Sequence, residues 1–330
     1  MKERLPPLAL LTLDACISRL RDGHPKLSLL RKNAAKYQKG FNGERKLDYH
    51  LRSLDQTFSI LSDVTLSVFG KQFQMDSFIV TSNAIYIIEV KSLDGTITFH
   101  TGLKQLTQDN GEKLVGRKYP ITQSENNLFL LLRWLELKKL AGLPIYYFIA
   151  ISEQSTMIEV NGNENSIRKV LSYVDEIPSR LIHMNDKFTK TRPENHALKN
   201  KIVQSVLKNC EEMHINILEK LDINLNDILP GVHCPSCKLL GMERTRFGWR
   251  CPICNHYSRT AHRKALLDYA LHFGKEITNK QCQRFLTIGP STAYSIFKNT
   301  NGVTLAPHNK KKWLLEIDKL RKQATNKENI

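Results

Sequence analysis

Two acidic residues and a lysine lie close together in the segment FQMDSFIVTSNAIYIIEVKS, residues 73–92. Asp76 precedes Glu89 by 13 residues, and Lys91 follows Glu89 by two. Carboxylate oxygens are the ligands that Mg²⁺ and Mn²⁺ prefer, and a nearby ammonium group orients water or neutralises charge that develops on a phosphate. These residues therefore predict a phosphodiester-cleaving site in which Asp76 and Glu89 hold Mg²⁺ or Mn²⁺ and Lys91 assists.

The sequence predicts a β-strand over residues 84–91, in which Glu89 and Lys91 share one face because side chains alternate with a period of two. Apolar residues occupy both faces of this strand, which is typical of a strand covered on both sides. A charge buried there without a partner or a metal ion costs several kcal/mol. Taken alone, the three charged residues also fit a buried salt bridge in an ordinary sheet.

Two predicted helices direct polar residues at the same sheet. Glu44 lies on the apolar face of its helix, in line with three leucines that follow it. Gln123 lies at the N-terminal end of the apolar face of a helix predicted over 122–140. The helix dipole favours an anion such as phosphate at this end. A T-x-x-E capping box at residues 122–125 predicts the start of that helix. Each residue alone has a structural explanation, as an exposed helix charge or a capping residue, but their convergence favours a functional site.

Four segments containing these residues resemble the nuclease-related domain family, known as NERD. The segments are Gly43-Glu44, FQMDSFIVTS at 73–82, IYIIEVKSLDG at 85–95 and YPITQ at 119–123. The resemblance extends over roughly residues 40–155. It implies an α/β fold like that of restriction endonucleases, in the PD-(D/E)-x-K superfamily, with a mixed sheet flanked by helices.

The resemblance also implies a role for each candidate residue. Asp76, Glu89 and Lys91 match the catalytic triad of the superfamily. Glu44 matches the acidic residue of the first helix, and Gln123 matches the polar residue that follows the triad. The family name records similarity to nucleases, so a nuclease-like core without activity is the alternative to an enzyme.

Four of the seven cysteines form two C-x2-C pairs separated by 13 residues: Cys234, Cys237, Cys251 and Cys254. Four thiolates at this spacing predict a closed tetrahedral Zn²⁺ site in a zinc ribbon, with a structural and not a catalytic role. A redox role needs only one pair, so the second pair argues against it. His233 and His256 flank the pairs and are expected not to be ligands, because four cysteines already fill the site.

The C-terminal region is strongly basic. Residues 231–330 contain 18 Lys and Arg against 6 Asp and Glu, which is +12 of the net charge of +17. Concentrated positive charge favours nucleic acid as partner, and we expect DNA before RNA. Two short helices, predicted over 279–286 and 292–298 and joined by a turn at Gly289-Pro290, resemble a helix-turn-helix. A small helical bundle with a solvated basic face explains the same pattern.

Seven residues of this region are candidates for nucleic-acid contact. Three lie in the ribbon and four on the outward face of the second predicted helix: Arg244, Arg246, Arg250, Thr292, Tyr294, Ser295 and Lys298. Side chains of these types bind phosphates and base edges. The three lysines at 310–312 predict a solvated run or nonspecific phosphate contact.

Length and composition predict a globular chain of about two domains, because 330 residues with 41% hydrophobic and 25% charged residues exclude wholesale disorder. We expect a helical segment at 1–35, a nuclease-like domain at 36–190, a helical connector at 191–230, the ribbon at 231–260 and a basic helical module, resembling a helix-turn-helix, at 261–330. This order also resembles a recurring bacterial NERD arrangement.

No apolar run approaches the ~20 residues of a membrane-spanning helix, and the first residues lack the features of a secretory signal. We therefore expect a cytoplasmic protein without membrane contact. The sequence predicts a DNA nuclease dependent on Mg²⁺ or Mn²⁺, with structural zinc and no organic cofactor. The alternative is an inactive nucleic-acid-binding or regulatory protein on a nuclease-like core, and an RNA binder is a third hypothesis. The sequence does not predict an oligomeric state.

Overall fold

The structure is a computed structural model that describes residues 2–212 and 216–325. The chain forms two compact units. The first comprises Met1–Pro6 and Lys36–Met213, and the second comprises Pro7–Ala35 and His214–Ile330.

The helices and strands follow one another in mixed order along the chain. The helices are α1 (Leu8–Ile17), α2 (Leu27–Leu51), α3 (Pro120–Leu137), α4 (Glu164–Arg168), α5 (Ile177–Thr191), α6 (His196–Asn209), α7 (Ile217–Lys220), α8 (His262–Phe273), α9 (Asn279–Leu286), α10 (Pro290–Asn299) and α11 (Ile317–Thr325). The strands are β1 (Ser59–Val68), β2 (Lys71–Val80), β3 (Ile85–Lys91), β4 (Thr96–His100), β5 (Gln105–Asp109), β6 (Leu114–Arg117), β7 (Ile145–Ile151), β8 (Met157–Asn161), β9 (Leu171–Tyr173), β10 (Glu243–Arg244), β11 (Trp249–Arg250), β12 (Tyr257–Ser258), β13 (Glu276–Thr278), β14 (Val303–Ala306) and β15 (Asn309–Leu315).

The first unit is built on a five-stranded sheet with the order β1-β2-β3-β7-β9. The first three strands pair antiparallel, whereas β3, β7 and β9 run parallel. One face packs against α3 and α6, with Trp134 and Ile202 in its core. The other face packs against α2 and α5, with Leu47 and Leu181 in its core. The expected mixed sheet flanked by helices is confirmed.

Strand β3 is covered on both faces. Ile85 and Ile87 belong to the core beneath α3, whereas Tyr86 and Ile88 belong to the core beneath α2. The alternation predicted from the sequence therefore holds, and it assigns Glu89 to the face beneath α3.

A second sheet with the order β6-β5-β4-β8 follows β3 in the chain. The Phe99 ring of β4 packs edge-on against Tyr119, the residue before α3, with ring centroids 5.9 Å apart. Tyr119 makes no side-chain capping bond, so the predicted capping box at residues 122–125 is wrong. The helix begins at Pro120, because proline at the first helical position has a preset φ and no N–H to satisfy.

The predicted connector over 191–230 does not form one segment. Helix α6 packs on the sheet of the first unit, where Ile202 and Val206 are fully buried. Helix α7 belongs to the second unit. The apolar stripe of α6 packs on β1 and β2 of the sheet, which explains why this helix belongs to the first unit.

The second unit contains a small sheet beside the four cysteines, and two short helices, α9 and α10, followed by a β-hairpin. Strands β10, β11 and β12 form the small ribbon sheet, and β13, β15 and β14 form a three-stranded sheet beside α8, α9 and α10. The module expected to be helical contains helices α8 to α11 and also three strands, because residues 309–315 pair with two other strands. Their lysine-rich sequence resembled a solvated run, and only the neighbouring strands stabilise it as β-structure.

The last helix, α11, continues to Thr325. Ile317 and Leu320 of this helix are buried, and α11 packs against α8. Residues 326–330 lie outside the described part of the chain. Within the described residues, no helix is both long and apolar enough to cross a bilayer.

Candidate active site and metal centre

Strands β2 and β3 separate where the acidic residues lie. Their ladder runs from Val80 opposite Ile85 to Ser77 opposite Ile88, and the next positions would be Asp76 and Glu89. The backbone N–H of Val90 instead donates to Oδ2 of Asp76 over 2.7 Å. The carboxylate takes the place of a ladder carbonyl, which fixes Asp76 against the end of β3.

Glu89, Lys91 and Gln123 form a closed hydrogen-bonded triangle. Lys91 Nζ lies 2.6 Å from Glu89 Oε1, and Gln123 Nε2 donates to the same oxygen over 2.5 Å. Gln123 Oε1 in turn accepts from Lys91 Nζ over 3.1 Å. Only 4% of Glu89 is exposed, so this buried carboxylate is paired as the cost of burial requires. The first turn of α3 thus meets the end of β3, as the sequence predicted.

Helix α2 brings Glu44 to the same end of the sheet. A Cβ atom on the preceding Gly43 would lie 2.8 Å from Ser152 Oγ and 3.0 Å from Ser92 Cβ. Ser92 follows β3 and Ser152 follows β7 in the chain. The glycine therefore allows the helix backbone to approach the strand ends closely.

Arg4 is a site residue that the sequence did not reveal. Its guanidinium donates to Glu44 Oε2 over 2.7 Å, to Asp48 Oδ2 over 2.8 Å and to the backbone carbonyl of Asp76 over 2.7 Å. Only 2% of the Arg4 side chain is exposed. A single arginine in a short N-terminal segment has no periodicity, so no pattern in the sequence could have identified it.

The pKa of each of the three carboxyl groups is raised, in each case chiefly by burial. Burial, with the nearby negative charge of Asp76, raises the pKa of Glu89 to about 7 and that of Glu44 to about 8. Burial also raises the pKa of Asp76, although the Val90 N–H, Arg4 and Lys91 oppose the shift. Negative charge is therefore poorly stabilised here, and an added cation would favour the ionised carboxylates.

The donor set fits one Mg²⁺ or Mn²⁺ ion. Asp76 and Glu89 are each anchored through one oxygen, and within the described chain Asp76 Oδ1 and Glu89 Oε2 accept no hydrogen bond. No three acidic or histidine side chains of the described residues converge within 4.8 Å at this place. Two carboxylate oxygens, with waters and substrate phosphate completing the shell, are the usual environment of Mg²⁺.

The four cysteines of the ribbon converge. Their sulfur atoms all lie within 4.8 Å of one another, with 3.6 Å between Cys234 and Cys254 and between Cys237 and Cys251. Tetrahedral Zn–S bonds of about 2.3 Å require sulfurs roughly 3.8 Å apart, so the geometry fits zinc.

Each of the two cysteine pairs is followed by a turn of the same geometry. Lys238 N donates to Cys234 O and Asn255 N donates to Cys251 O, each over 3.0 Å, and both residues have positive φ. His233 and His256 are not part of the sulfur cluster. The His233 ring contacts the backbone carbonyl of Ser18 over 2.9 Å, which gives it a structural role.

The residues expected to contact nucleic acid lie in two groups on the second unit. Arg244, Arg246 and Arg250 are exposed on the β10–β11 hairpin. On α10, Tyr294, Ser295 and Lys298 are exposed and Thr292 is half-buried. The Tyr294 ring packs edge-on against Trp313 of β15, with centroids 5.9 Å apart, and the Lys298 ammonium lies 5.7 Å from its centre.

The first unit is thus a mixed α/β domain with two carboxylates, a lysine and a glutamine gathered at the open end of a strand pair. Residues 39–152 match the family model of the nuclease-related domain, NERD, so this part of the chain is similar to nuclease-related domains. The matched segment contains the site residues Glu44, Asp76, Glu89, Lys91 and Gln123. Arg4 lies outside the matched segment. No curated protein matches the chain.

Proposed function

We propose that this protein is a metal-dependent nuclease that hydrolyses phosphodiester bonds in DNA. The observation that supports this most is the Glu89–Lys91–Gln123 triangle beside Asp76, at the place where β2 and β3 separate. A salt bridge that served only the fold would need neither the free oxygens of the two carboxylates nor the glutamine.

Each residue has a distinct task in the proposed reaction. When bound, Mg²⁺ or Mn²⁺ polarises the phosphate and lowers the pKa of the attacking water. Asp76 and Glu89 would hold this ion. Lys91, kept in place by Glu89 and Gln123, would orient the water and neutralise charge on the phosphate. Gln123, in the first turn of α3, stands where backbone N–H groups also favour phosphate.

Glu44 is proposed to shape the site electrostatically. The negative charges of Glu44 and Asp76 repel each other, so a bound cation would stabilise both carboxylates. Arg4 already neutralises part of this negative charge. The second unit would supply affinity for the nucleic acid through its concentrated positive charge. Thiolate ligands for zinc need a reducing environment, which supports a cytoplasmic location.

Cleavage assays test the proposal. Labelled single-stranded DNA, duplex DNA and RNA are incubated with the protein and Mg²⁺, Mn²⁺ or Ca²⁺. We expect Mg²⁺ or Mn²⁺ to support cutting of DNA, and Glu89→Gln and Lys91→Met each to reduce the rate about 100-fold or more. Glu159→Gln, at an exposed acid of β8, is the matched control and should cut at the wild-type rate.

Two outcomes would contradict the enzyme. One is binding without cutting under every metal, which would identify an inactive nucleic-acid-binding protein. The other is equal cutting by wild type, Glu89→Gln and Lys91→Met, which would identify a contaminating nuclease. Faster cutting of RNA than of DNA would keep the enzyme and change its substrate.

A further inference from the structure

A basic pocket of about 340 Å³ lies within the second unit, between the β10–β11 hairpin and α10. Arginines line it from the ribbon, from the segment before α8 and from the first turn of α8, and α10 closes it. The lining residues used below are Arg244, Phe247, Arg259, Arg263, Ser295 and Asn299. Only Arg244 and Ser295 of these belong to the contacts predicted from the sequence.

The two walls of the pocket are held together from beneath. Trp249 of β11 is fully buried, and its indole N–H donates to His262 Nδ1 over 3.1 Å. The other ring nitrogen of His262 lies 3.3 Å from Thr300 Oγ1, just after α10. The chain Trp249–His262–Thr300 thus connects ribbon and helix through buried hydrogen bonds, so the pocket is preformed.

Among the described residues, the pocket arginines form no salt bridge with an acidic side chain. In the described part of the chain, no carboxylate lies within salt-bridge distance of Arg244, Arg259 or Arg263, and the Arg263 Nε has no hydrogen-bond acceptor. Arg244 donates one bond to Gly248 O over 2.9 Å, which leaves its other N–H groups available. Three guanidinium groups without acids around one concavity match the geometry and charge of phosphate.

An exposed aromatic ring stands at the edge of the pocket. Phe247 is 69% exposed at the tip of a tight turn, which Thr245 N closes by donating to Gly248 O over 2.9 Å. The Arg246 guanidinium lies 5.1 Å from the centre of the Phe247 ring. An exposed ring among arginines is the arrangement on which unpaired bases stack.

We propose that this pocket binds a nucleotide of single-stranded DNA, with its base on Phe247 and its phosphates on Arg244, Arg259 and Arg263. A pocket of this size admits one unstacked nucleotide, whereas the bases of a duplex are stacked on one another and unavailable to Phe247. Asn299 Nδ2 donates to Ser295 O over 2.9 Å and to Ser295 Oγ over 3.3 Å, so the groups that α10 offers to a base or sugar are the Ser295 hydroxyl hydrogen and Asn299 Oδ1. The inference rests on the proposed function, in which nucleic acid is the substrate. It adds that the second unit prefers single-stranded to duplex DNA.

Fluorescence anisotropy without added divalent metal tests this binding. The probes are a labelled 12-nucleotide oligo(dT) and a labelled 12-base-pair duplex, each at two salt concentrations. We expect tighter binding of oligo(dT), and Phe247→Ala should weaken it about tenfold, because one base stack is removed. Phe129→Ala on α3 is the matched control, since Phe129 is 55% exposed with Arg133 over its ring at 5.5 Å, and it should bind like wild type.

The charge contribution is tested separately. Arg259→Ala combined with Arg263→Ala should weaken oligo(dT) binding. The slope of log K against log salt concentration should become shallower by about 0.7 for each phosphate that the variant no longer neutralises. Arg284→Ala on α9 removes positive charge outside the pocket and should change affinity less than twofold. Circular dichroism and zinc content of each variant exclude unfolding as the cause.

The outcomes separate this inference from the proposed nuclease. Unchanged oligo(dT) affinity of Phe247→Ala, or equal weakening of oligo(dT) and duplex binding, would overturn the pocket while leaving cleavage unaffected. If Phe247→Ala selectively weakens oligo(dT) binding but the protein never cuts DNA, the pocket is supported and the proposed nuclease function is refuted.

Discussion

Arg4 Nη1 lies 2.7 Å from Glu44 Oε2, which places an N-terminal arginine against the acidic residue of the first site helix. The same guanidinium holds Asp48 and the backbone of Asp76, so it ties α2 to the strand that carries the Asp76 carboxylate. The site is therefore completed by a residue 40 positions before Glu44.

Replacing Arg4 should destabilise the first unit. Arg4→Met leaves Glu44 and Asp48 without their cation in a poorly solvated place, which costs about 3 kcal/mol for a buried pair broken on one side. The free energy of unfolding, measured by urea denaturation at pH 7, would show the decrease. The triple variant Arg4→Met with Glu44→Gln and Asp48→Asn removes the unpaired charges and should regain part of it. An Arg4→Met protein as stable as wild type would contradict the structural role.

Replacement by alanine should have opposite effects at two glycines of α2, Gly40 and Gly43. Gly43→Ala adds a Cβ within 3.0 Å of Ser92 and 2.8 Å of Ser152, and overpacking should cost about 1–3 kcal/mol. Gly40→Ala meets no atom within 4 Å and should stabilise the helix by up to about 1 kcal/mol. Thermal unfolding of both variants checks the contrast. Equal shifts in Tm would show that α2 does not approach the strand ends closely.

Zinc should hold the ribbon together. We expect one zinc ion per chain by elemental analysis, and Cys237→Ser combined with Cys254→Ser should abolish it, because two thiolates of the cluster are removed. Loss of zinc should also expose Trp249, which is fully buried in the ribbon sheet, and shift its fluorescence to longer wavelength. Cys210→Ser, outside the cluster, is the control and should retain the metal. Zinc retained by the double variant would exclude this site.

Stability should decrease in mild acid because of buried histidines. Burial, with repulsion from Arg263 and Arg244, lowers the pKa of His262 to about 4. The unfolded chain takes up this proton near pH 6.5 and the folded chain does not, so stability is lost as pH falls from 6.5 towards 4. For His262 the decrease between pH 7 and pH 5 is about 2 kcal/mol.

The variant His262→Gln isolates this contribution. It should be less stable than wild type at pH 7 but lose about 2 kcal/mol less between pH 7 and pH 5, as measured by urea denaturation. Burial likewise lowers the pKa of His233 and His272 to about 4, so the variant retains their share of the acid sensitivity. Identical pH profiles for variant and wild type would refute the assignment.

Short-range patterns predicted the parts of the site that lie close together in sequence. The period of two placed Glu89 and Lys91 on one face, and both contact Gln123 as expected from the apolar stripe of its helix. The spacing of the cysteines predicted a cluster that the structure forms. The sequence did not predict the strand at 309–315, because its lysine-rich residues do not favour β-structure by themselves. Pairing with two neighbouring strands stabilises it.

The sequence by itself determined which side chains share a strand face or a turn, since the backbone repeat fixes those relations within a few residues. Only the tertiary structure decided that the Asp76 carboxylate replaces a ladder carbonyl at Val90, and that Arg4 reaches Asp76 across 72 positions. Such contacts depend on how distant segments pack, and no local repeat encodes them.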